Sequence, residues 1–239
     1  VAQRGYSILG WKDQGLMGMV LRPGTDCPIS LVNMVEHTVE SILQNHRELF
    51  KEELGLVANF QHRIILKPGA IPVIHKVRNV PMSMKGKLKQ HLDKLQADHV
   101  IEPIDSSQWI SPIVVALKKN DELRLCVDLR SLNKNILVDC FPLPKIQDLL
   151  AQLGGAKYFT SLDLRAAYHQ IELSEDSKAL TAFNTPFGAY QYLRLPFGLA
   201  SAASLFQKVM FRVLDNIQGV IAYQDDILVY SESVDEHLI

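Results

Sequence analysis

The chain has 239 residues, 47% of them hydrophobic, which is enough apolar surface to bury a sizeable core in one or two subdomains. Lysine and arginine total 25 against 26 aspartate and glutamate, a net charge of −1 that argues against a broadly basic surface, so any attraction for a polyanion has to be judged locally. Three cysteines, Cys27, Cys126 and Cys140, with no C-x-x-C pair, speak against a secreted disulfide scaffold and read as small core residues in a reducing compartment. No apolar run is long enough to span a bilayer, and the start at Val1 instead of Met is expected of a piece of a longer product.

Residues 1–33 carry scattered glycines and prolines without periodicity, and no compact fold is legible in them. From Val35 onward, apolar residues at Val39, Ile42, Leu43, Leu49 and Phe50 follow a helical period. A second helix is predicted over 84–97, with Met84, Leu88, Leu92 and Leu95 on one face and Lys85, Lys87, Lys89 and Lys94 largely off it. Strands at 113–117 and 123–127, joined by the polar turn Lys118-Lys119-Asn120-Asp121-Glu122, read as a hairpin. Pro144 opens a further helix that runs to Gln152 and stops at Gly154-Gly155. A strand over 158–163 ends on Asp163, and a helix-like stretch bearing Tyr168 follows. After the turn Pro196-Phe197-Gly198, a helix over 200–214 repeats Leu205, Phe206, Val209, Met210 and Val213 at helical spacing. The apolar runs 220–222 and 227–230 flank Tyr223-Gln224-Asp225-Asp226 as a second hairpin, and Ser233-Val234-Asp235-Glu236 is a capping box for one more helix.

The Asp225-Asp226 corner is the most informative feature. Alone, adjacent carboxylates at a turn are an ordinary solvated hairpin tip. A third acid at the end of the 158–163 strand changes the reading: if that strand lies in the same sheet, Asp163 and Asp225 face each other across the strand ends. Such a pair can hold two cations about 3.5–4 Å apart, with Asp226 helping. Oxygen ligands of this kind suit Mg²⁺, which prefers carboxylates plus substrate phosphates, and so the pattern points to phosphoryl transfer.

The ordered motifs ISPIVVALKKN (110–120), LRLCVDLRSLNKNI (123–136), FPLPKIQDLLAQLGGAKYFTSLDLRAAYHQIEL (141–173), TAFNTPFGAYQYLRLPFGLASAASLFQKVM (181–210) and YQDDILVYS (223–231) resemble the reverse transcriptase of Gypsy-like LTR retrotransposons and retroviruses over roughly residues 45 to 239. The resemblance implies an α+β polymerase right-hand fold, with fingers and palm subdomains, an antiparallel palm sheet flanked by helices, and the thumb absent. It divides the chain into a linker or upstream aspartic-protease tail (1–33), an N-terminal helical and fingers-entry region (34–105), and a fingers and palm core (106–239) truncated after the Asp-Asp hairpin. Tyr6-Ser7-Ile8-Leu9-Gly10-Trp11 looks like the closing strand of that protease, whose catalytic motif would lie upstream.

By the same resemblance Asp163, Asp225 and Asp226 match the catalytic, metal-holding aspartates, and Arg124 the triphosphate-binding arginine. Either Lys118 or Lys119 matches the phosphate-binding lysine. Tyr168 matches the aromatic that leaves no room for a 2′-hydroxyl, Phe197 and Gly198 border the nucleotide pocket, and Gln207 is a candidate template contact. The lysines of 84–97 are either a solvated face or a contact to the template backbone. Two departures stand out: Lys-Asn-Asp-Glu replaces the family's usual Lys-Asp-Gly at 119–122, and Ala202-Ala203 replaces its usual Ala-Pro, which implies an earlier helix start.

The expected function is RNA-directed DNA polymerase activity, adding dNTPs to a primer 3′-hydroxyl with two Mg²⁺ ions, or Mn²⁺. Expected partners are an RNA or DNA template with primer and the protease, RNase H and integrase domains of a Pol polyprotein, with no membrane. The expected location is intracellular, in a cytoplasmic retroelement particle with nuclear entry. The alternatives are an inactive retroelement fragment that binds nucleic acid weakly, and a stand-alone metal hydrolase; the latter leaves Arg124, Tyr168 and the Pro-Phe-Gly turn unexplained.

Overall fold

A computed structural model describes residues 39–117, 121–138 and 141–238. The segment 1–33, the lysines at 118 and 119, and Cys27 and Cys140 lie outside the described residues. The first elements in chain order are α1 (Val39–Asn45), β1 (Gln61–His62), β2 (Ile65–Leu66), α2 (Met82–Ala97), β3 (Ile101–Ile104), β4 (Ser111–Leu117) and β5 (Leu123–Val127). Next come α3 (Arg130–Asn133), β6 (Ile136–Leu137), α4 (Ile146–Ala151), β7 (Tyr158–Asp163), β8 (Glu172–Leu173), α5 (Glu175–Lys178), β9 (Phe183–Thr185) and β10 (Gly188–Tyr192). The last are α6 (Ala202–Leu214), β11 (Val220–Tyr223), β12 (Asp226–Ser231) and α7 (Val234–His237). These form two compact units interleaved in sequence: of the described residues, one takes 59–117, 121–138 and 168–202, the other 39–58, 141–167 and 203–238.

The first unit is built on a five-stranded sheet in the order β3-β10-β9-β4-β5, antiparallel throughout except for the parallel β4–β9 pair. Alternation in 113–127 sets the hairpin register from Ile113 opposite Val127 to Leu117 opposite Leu123. Ile113, Leu123 and Val127 are buried, whereas Arg124 and Cys126 stand on the exposed face. Cys126 is therefore not the core residue expected of it, because the two-residue period of the strand places it on the same face as Arg124.

Helix α2 lies against β3 and β5, with Leu88 and Leu92 fully buried. It starts at Met82, two residues before the expected Met84, directly after Pro81. The Lys87 ammonium bonds to the carboxylate of Asp121 and, at 3.1 Å, to its carbonyl. Asp121 has φ 62 in the hairpin turn, a left-handed conformation that an aspartate tolerates better than most residues. Asp128, just after β5, takes Arg130 and Arg78 on its two oxygens, and those hydrogen bonds hold its carboxyl well below the usual range.

In the second unit, β11, β12 and β7 form an antiparallel sheet in that order. Leu162, Ile227 and Val229 are buried from its strands, as are Leu205, Phe206, Val209, Met210 and Val213 from α6, the face that the helical spacing predicts. At the entry to β11, Gly219 has φ 73, and a Cβ there would stand 2.8 Å from the Tyr230 carbonyl oxygen. Close approach is needed because the Tyr230 N–H donates to the Gly219 carbonyl at 2.7 Å. The capping box at α7 forms with a one-residue offset: Ser233 Oγ accepts from the Glu236 N–H, while Glu236 Oε2 accepts from the N–H of Glu232 and not from that of Ser233. Among the described residues no helix is long and apolar enough to cross a membrane.

Two glycine substitutions are expected to move stability in opposite directions. Gly86 is exposed inside α2 with open space around its Cβ position, so Gly86→Ala should stabilise by about 0.5–1 kcal/mol. Gly219→Ala should destabilise by at least about 1–3 kcal/mol, because alanine meets both the left-handed backbone and the Tyr230 carbonyl. Urea-unfolding midpoints of the two variants against the parent measure both.

Candidate active site

The second unit carries the three aspartates on neighbouring strand ends. β7 and β12 pair over six residues, from Ser231 opposite Tyr158 to Asp226 opposite Asp163. The turn between β11 and β12 consists of Gln224 and Asp225, since Tyr223 pairs directly with Asp226. Asp226, and not Asp225 as the sequence reading had it, is therefore the cross-strand partner of Asp163. A two-residue turn leaves Asp225 outside the ladder, and the strand resumes one residue later. Directly opposed residues share one face of the sheet with Cβ atoms about 4.5–5.5 Å apart, so the carboxylates of Asp163 and Asp226 are neighbours. Asp225 caps the same end: its carbonyl accepts from the Leu164 N–H at 3.5 Å.

Electrostatics register the crowding. Burial, then the charges of Asp225 and Asp163, push the carboxyl of Asp226 above its ordinary pKa. All three causes penalise the same negative charge, and a nearby cation would offset the repulsion from Asp225 and Asp163. Among the described residues no three His, Cys, Asp or Glu side chains converge into a ready-made metal cage. Carboxylate oxygens at a strand end are hard donors, the type that Mg²⁺ takes together with waters and substrate phosphates.

The turn itself is held from behind. Gln224 has φ 55, an uncommon conformation for a residue other than Gly, Asn or Asp. Its N–H donates to Gln207 Oε1 at 2.7 Å, and Gln207 Nε2 donates to the Ala222 carbonyl at 3.1 Å. Gln207 is 5% exposed, so the amide proposed to meet a template is instead turned inward onto the hairpin. The helical spacing of α6 explains this: Phe206, Val209 and Met210 are buried on the face that Gln207 adjoins.

The first unit holds Arg124, Tyr168, Phe197 and Gly198. Tyr168 sits in a 3-10 turn, Ala167–Gln170, and not on an α-helix as the sequence suggested. Ala166, with φ 45, breaks the backbone just before that turn. The ring of Tyr168 lies 4.8 Å from that of Phe197, and His169 meets Phe197 edge-on at 5.0 Å. Phe197 is 48% exposed, so this cluster presents an apolar ring face to solvent. Gly198 follows with φ 87, a conformation that fits glycine. Arg124 is exposed on β5, opposite Ala116.

Two residues missed in the sequence support the Phe197 turn. Asn133 Nδ2 donates to the Gly198 carbonyl at 2.8 Å, and Asn133 Oδ1 accepts from the Ala200 N–H at 2.9 Å. His169 Nδ1 donates to the Leu195 carbonyl at 3.1 Å, and burial lowers its pKa to about 4, so the ring is neutral at physiological pH. Neither has a local signature: each acts on a segment far along the chain, and only the fold brings them together.

Comparisons with known proteins identify the family and the fold. The sequence model of the Reverse transcriptase (RNA-dependent DNA polymerase) family matches residues 116–239. The retrovirus-related Pol polyprotein from transposon 412 of Drosophila melanogaster is 35% identical over 246 residues, covering 89% of this chain and 20% of that protein. The corresponding polyprotein from transposon gypsy of the same organism is 37% identical over 175 residues, covering 70% of this chain and 17% of that protein. The chain thus spans about a fifth of the length of these curated relatives, or less. The crystal structure of a prototype foamy virus protease-reverse transcriptase mutant superposes with a TM-score of 0.76 at 24% identity, covering 83% of this chain and 27% of that one. The foamy viral protease-reverse transcriptase in complex with an RNA/DNA hybrid gives 0.73 at 24% identity, with the same coverage. The fold is therefore the reverse-transcriptase right-hand fold, and the chain belongs to the reverse transcriptase (RNA-dependent DNA polymerase) family, with relatives among retrotransposon Pol polyproteins.

Proposed function

We propose that this chain supplies the catalytic carboxylates of an RNA-directed DNA polymerase within a retrotransposon Pol polyprotein, adding dNTPs to a primer 3′-hydroxyl on an RNA or DNA template. The observation that carries this reading is the pairing of Asp163 with Asp226 beside the Asp225 turn, in a chain of this family. Asp163, Asp225 and Asp226 would hold Mg²⁺ or Mn²⁺. When bound, such ions supply Lewis-acid activation of the attacking hydroxyl and neutralise the departing pyrophosphate.

The protein's own groups have separable tasks in this reading. The three carboxylates supply hard oxygen donors on a rigid strand end. Arg124, exposed and planar, offers a fork matched to phosphate oxygens, and Lys118 or Lys119 a compact cation for the same group. Tyr168, with Phe197 against it, presents an aromatic surface to the sugar, and Gly198 lets the loop turn there without a side chain. The relatives' names place such chains in Pol polyproteins, which motivates protease, RNase H and integrase as companion domains.

Removing a carboxylate tests the assignment. Asp163→Asn, Asp225→Asn and Asp226→Asn should each lower dNTP incorporation by about 100-fold or more with the fold intact, since the loss is several kcal/mol of transition-state stabilisation. Primer extension with circular dichroism as the control measures this, and parent-level extension by Asp163→Asn would overturn the reading.

The raised pKa of Asp226 also predicts a pH dependence. A carboxyl whose folded pKa lies above its unfolded value contributes stability that is fully present at low pH and lost as pH rises from near 3.8 through the raised folded value. In EDTA, melting temperature should therefore fall over that window, Asp226→Asn should flatten the fall, and millimolar Mg²⁺ should oppose it. Thermal melts at a series of pH values with and without Mg²⁺ are the measurement.

Sugar selection is the third expectation. Tyr168→Ala should lower the ratio of kcat/KM for dNTP over rNTP while incorporation of dNTP persists, because the change opens space without touching a carboxylate. An unchanged ratio in a folded, active variant would return Tyr168 to a packing role.

A further inference from the structure

We propose that Gln207 is a positioning residue for the aspartates, clamping the turn that carries Asp225 in a backbone conformation it would otherwise leave. The inference rests on the polymerase reading for its consequence, though the clamp itself is a matter of geometry. Gln207 stands on α6, one residue after Phe206 and two before Val209, in a stretch whose buried positions are otherwise apolar. A long amide in such a place is costly unless both its ends are bonded. Both are: the donor end takes the Ala222 carbonyl, the last-but-one residue of β11, and the acceptor end takes the N–H of Gln224, the first residue of the turn.

These two bonds bracket Tyr223 and fix the turn relative to the helix. The left-handed φ of Gln224 places the constraint where it matters, because glutamine has neither the freedom of glycine nor the short side chain that lets asparagine stabilise this region locally. Without the amide, the turn can relax toward ordinary dihedrals. Asp225 sits in that turn, and Asp226 follows directly with its register against Asp163. A relaxed turn therefore moves two of the three carboxylates while leaving the hydrophobic pairs farther along β12 in place.

The test uses the whole protein. Gln207→Met keeps the length and burial of the side chain but removes both bonds. Hydrogen exchange at the Gln224 amide should speed by roughly tenfold or more, the loss of one net hydrogen bond, with the amides of Leu228 and Val229 unchanged. Primer extension should lose kcat, with the half-saturating Mg²⁺ concentration raised and KM for dNTP little moved. Adding Gln224→Gly to Gln207→Met should restore most of the lost kcat, because glycine takes φ 55 without the clamp. A residue that merely packs would not be rescued by a glycine in the turn. Gln207→Glu keeps an acceptor for the Gln224 amide and should keep it protected, which separates the bond from the packing even if the Met variant folds poorly. Parent-like exchange at Gln224 in Gln207→Met, or a double variant as slow as the single one, overturns the proposal. A parent protein that incorporates no dNTP overturns the polymerase reading instead, and the exchange rates then decide the clamp by themselves.

Discussion

An antiparallel register that sets one aspartate directly against another is the constraint on which the rest of the aspartate-bearing unit depends. Asp163 and Asp226 end a ladder of six pairs, and like charges placed opposite each other destabilise a sheet. The ladder holds because the pair behind them, Leu162 opposite Ile227, is buried on both strands. Slipping by one residue to separate the acids would turn that apolar pair to the wrong face, which costs more than the repulsion it relieves. The core thus places like charges together at the strand ends, and burial first, then the charges of Asp225 and Asp163, push the Asp226 carboxyl upward.

A second theme is that side-chain amides hold the loops. Gln207 bonds to both sides of Tyr223 in the carboxylate hairpin, and Asn133 bonds to both sides of Leu199 in the loop after Phe197. Each amide offers one donor and one acceptor to backbone groups that strand pairing or helix hydrogen bonds would otherwise satisfy. Each also secures a backbone with positive φ, at Gln224 in one unit and at Gly198 in the other. Exposed loops cannot bury themselves, so their order has to come from neighbours that can.

Legibility followed the range of the interaction. The hairpin over 113–127, the strand ending at Asp163, the apolar face of α6 and the strands flanking the Asp-Asp turn have periods of two or 3.6 residues that a local pattern reveals. A helix is expected to follow the Asp163 strand and carry Tyr168, but Ala166 at φ 45 interrupts the backbone there and Tyr168 lies in a 3-10 turn. Cys126 was expected inside because free cysteines are usually buried, but the strand it occupies has one solvated face. Gln207 was singled out for its position in a motif, while its partners Ala222 and Gln224 lie on a separate hairpin that no spacing along the helix can point to.

By itself the sequence determined which local elements carry the singled-out residues: an aspartate at the end of one strand and two at a hairpin turn, an arginine within a hairpin strand, an aromatic shortly after a strand and a Pro-Phe-Gly turn before a helix. These depend on residue type and short spacings, which are complete in the chain as written. Only the tertiary structure decided which aspartate faces which, which side of β5 Cys126 occupies, and what the amides of Gln207 and Asn133 hold. Those outcomes turn on register and on contacts between segments far apart in the chain, where the burial of apolar faces selects one arrangement among several that local propensity leaves equivalent.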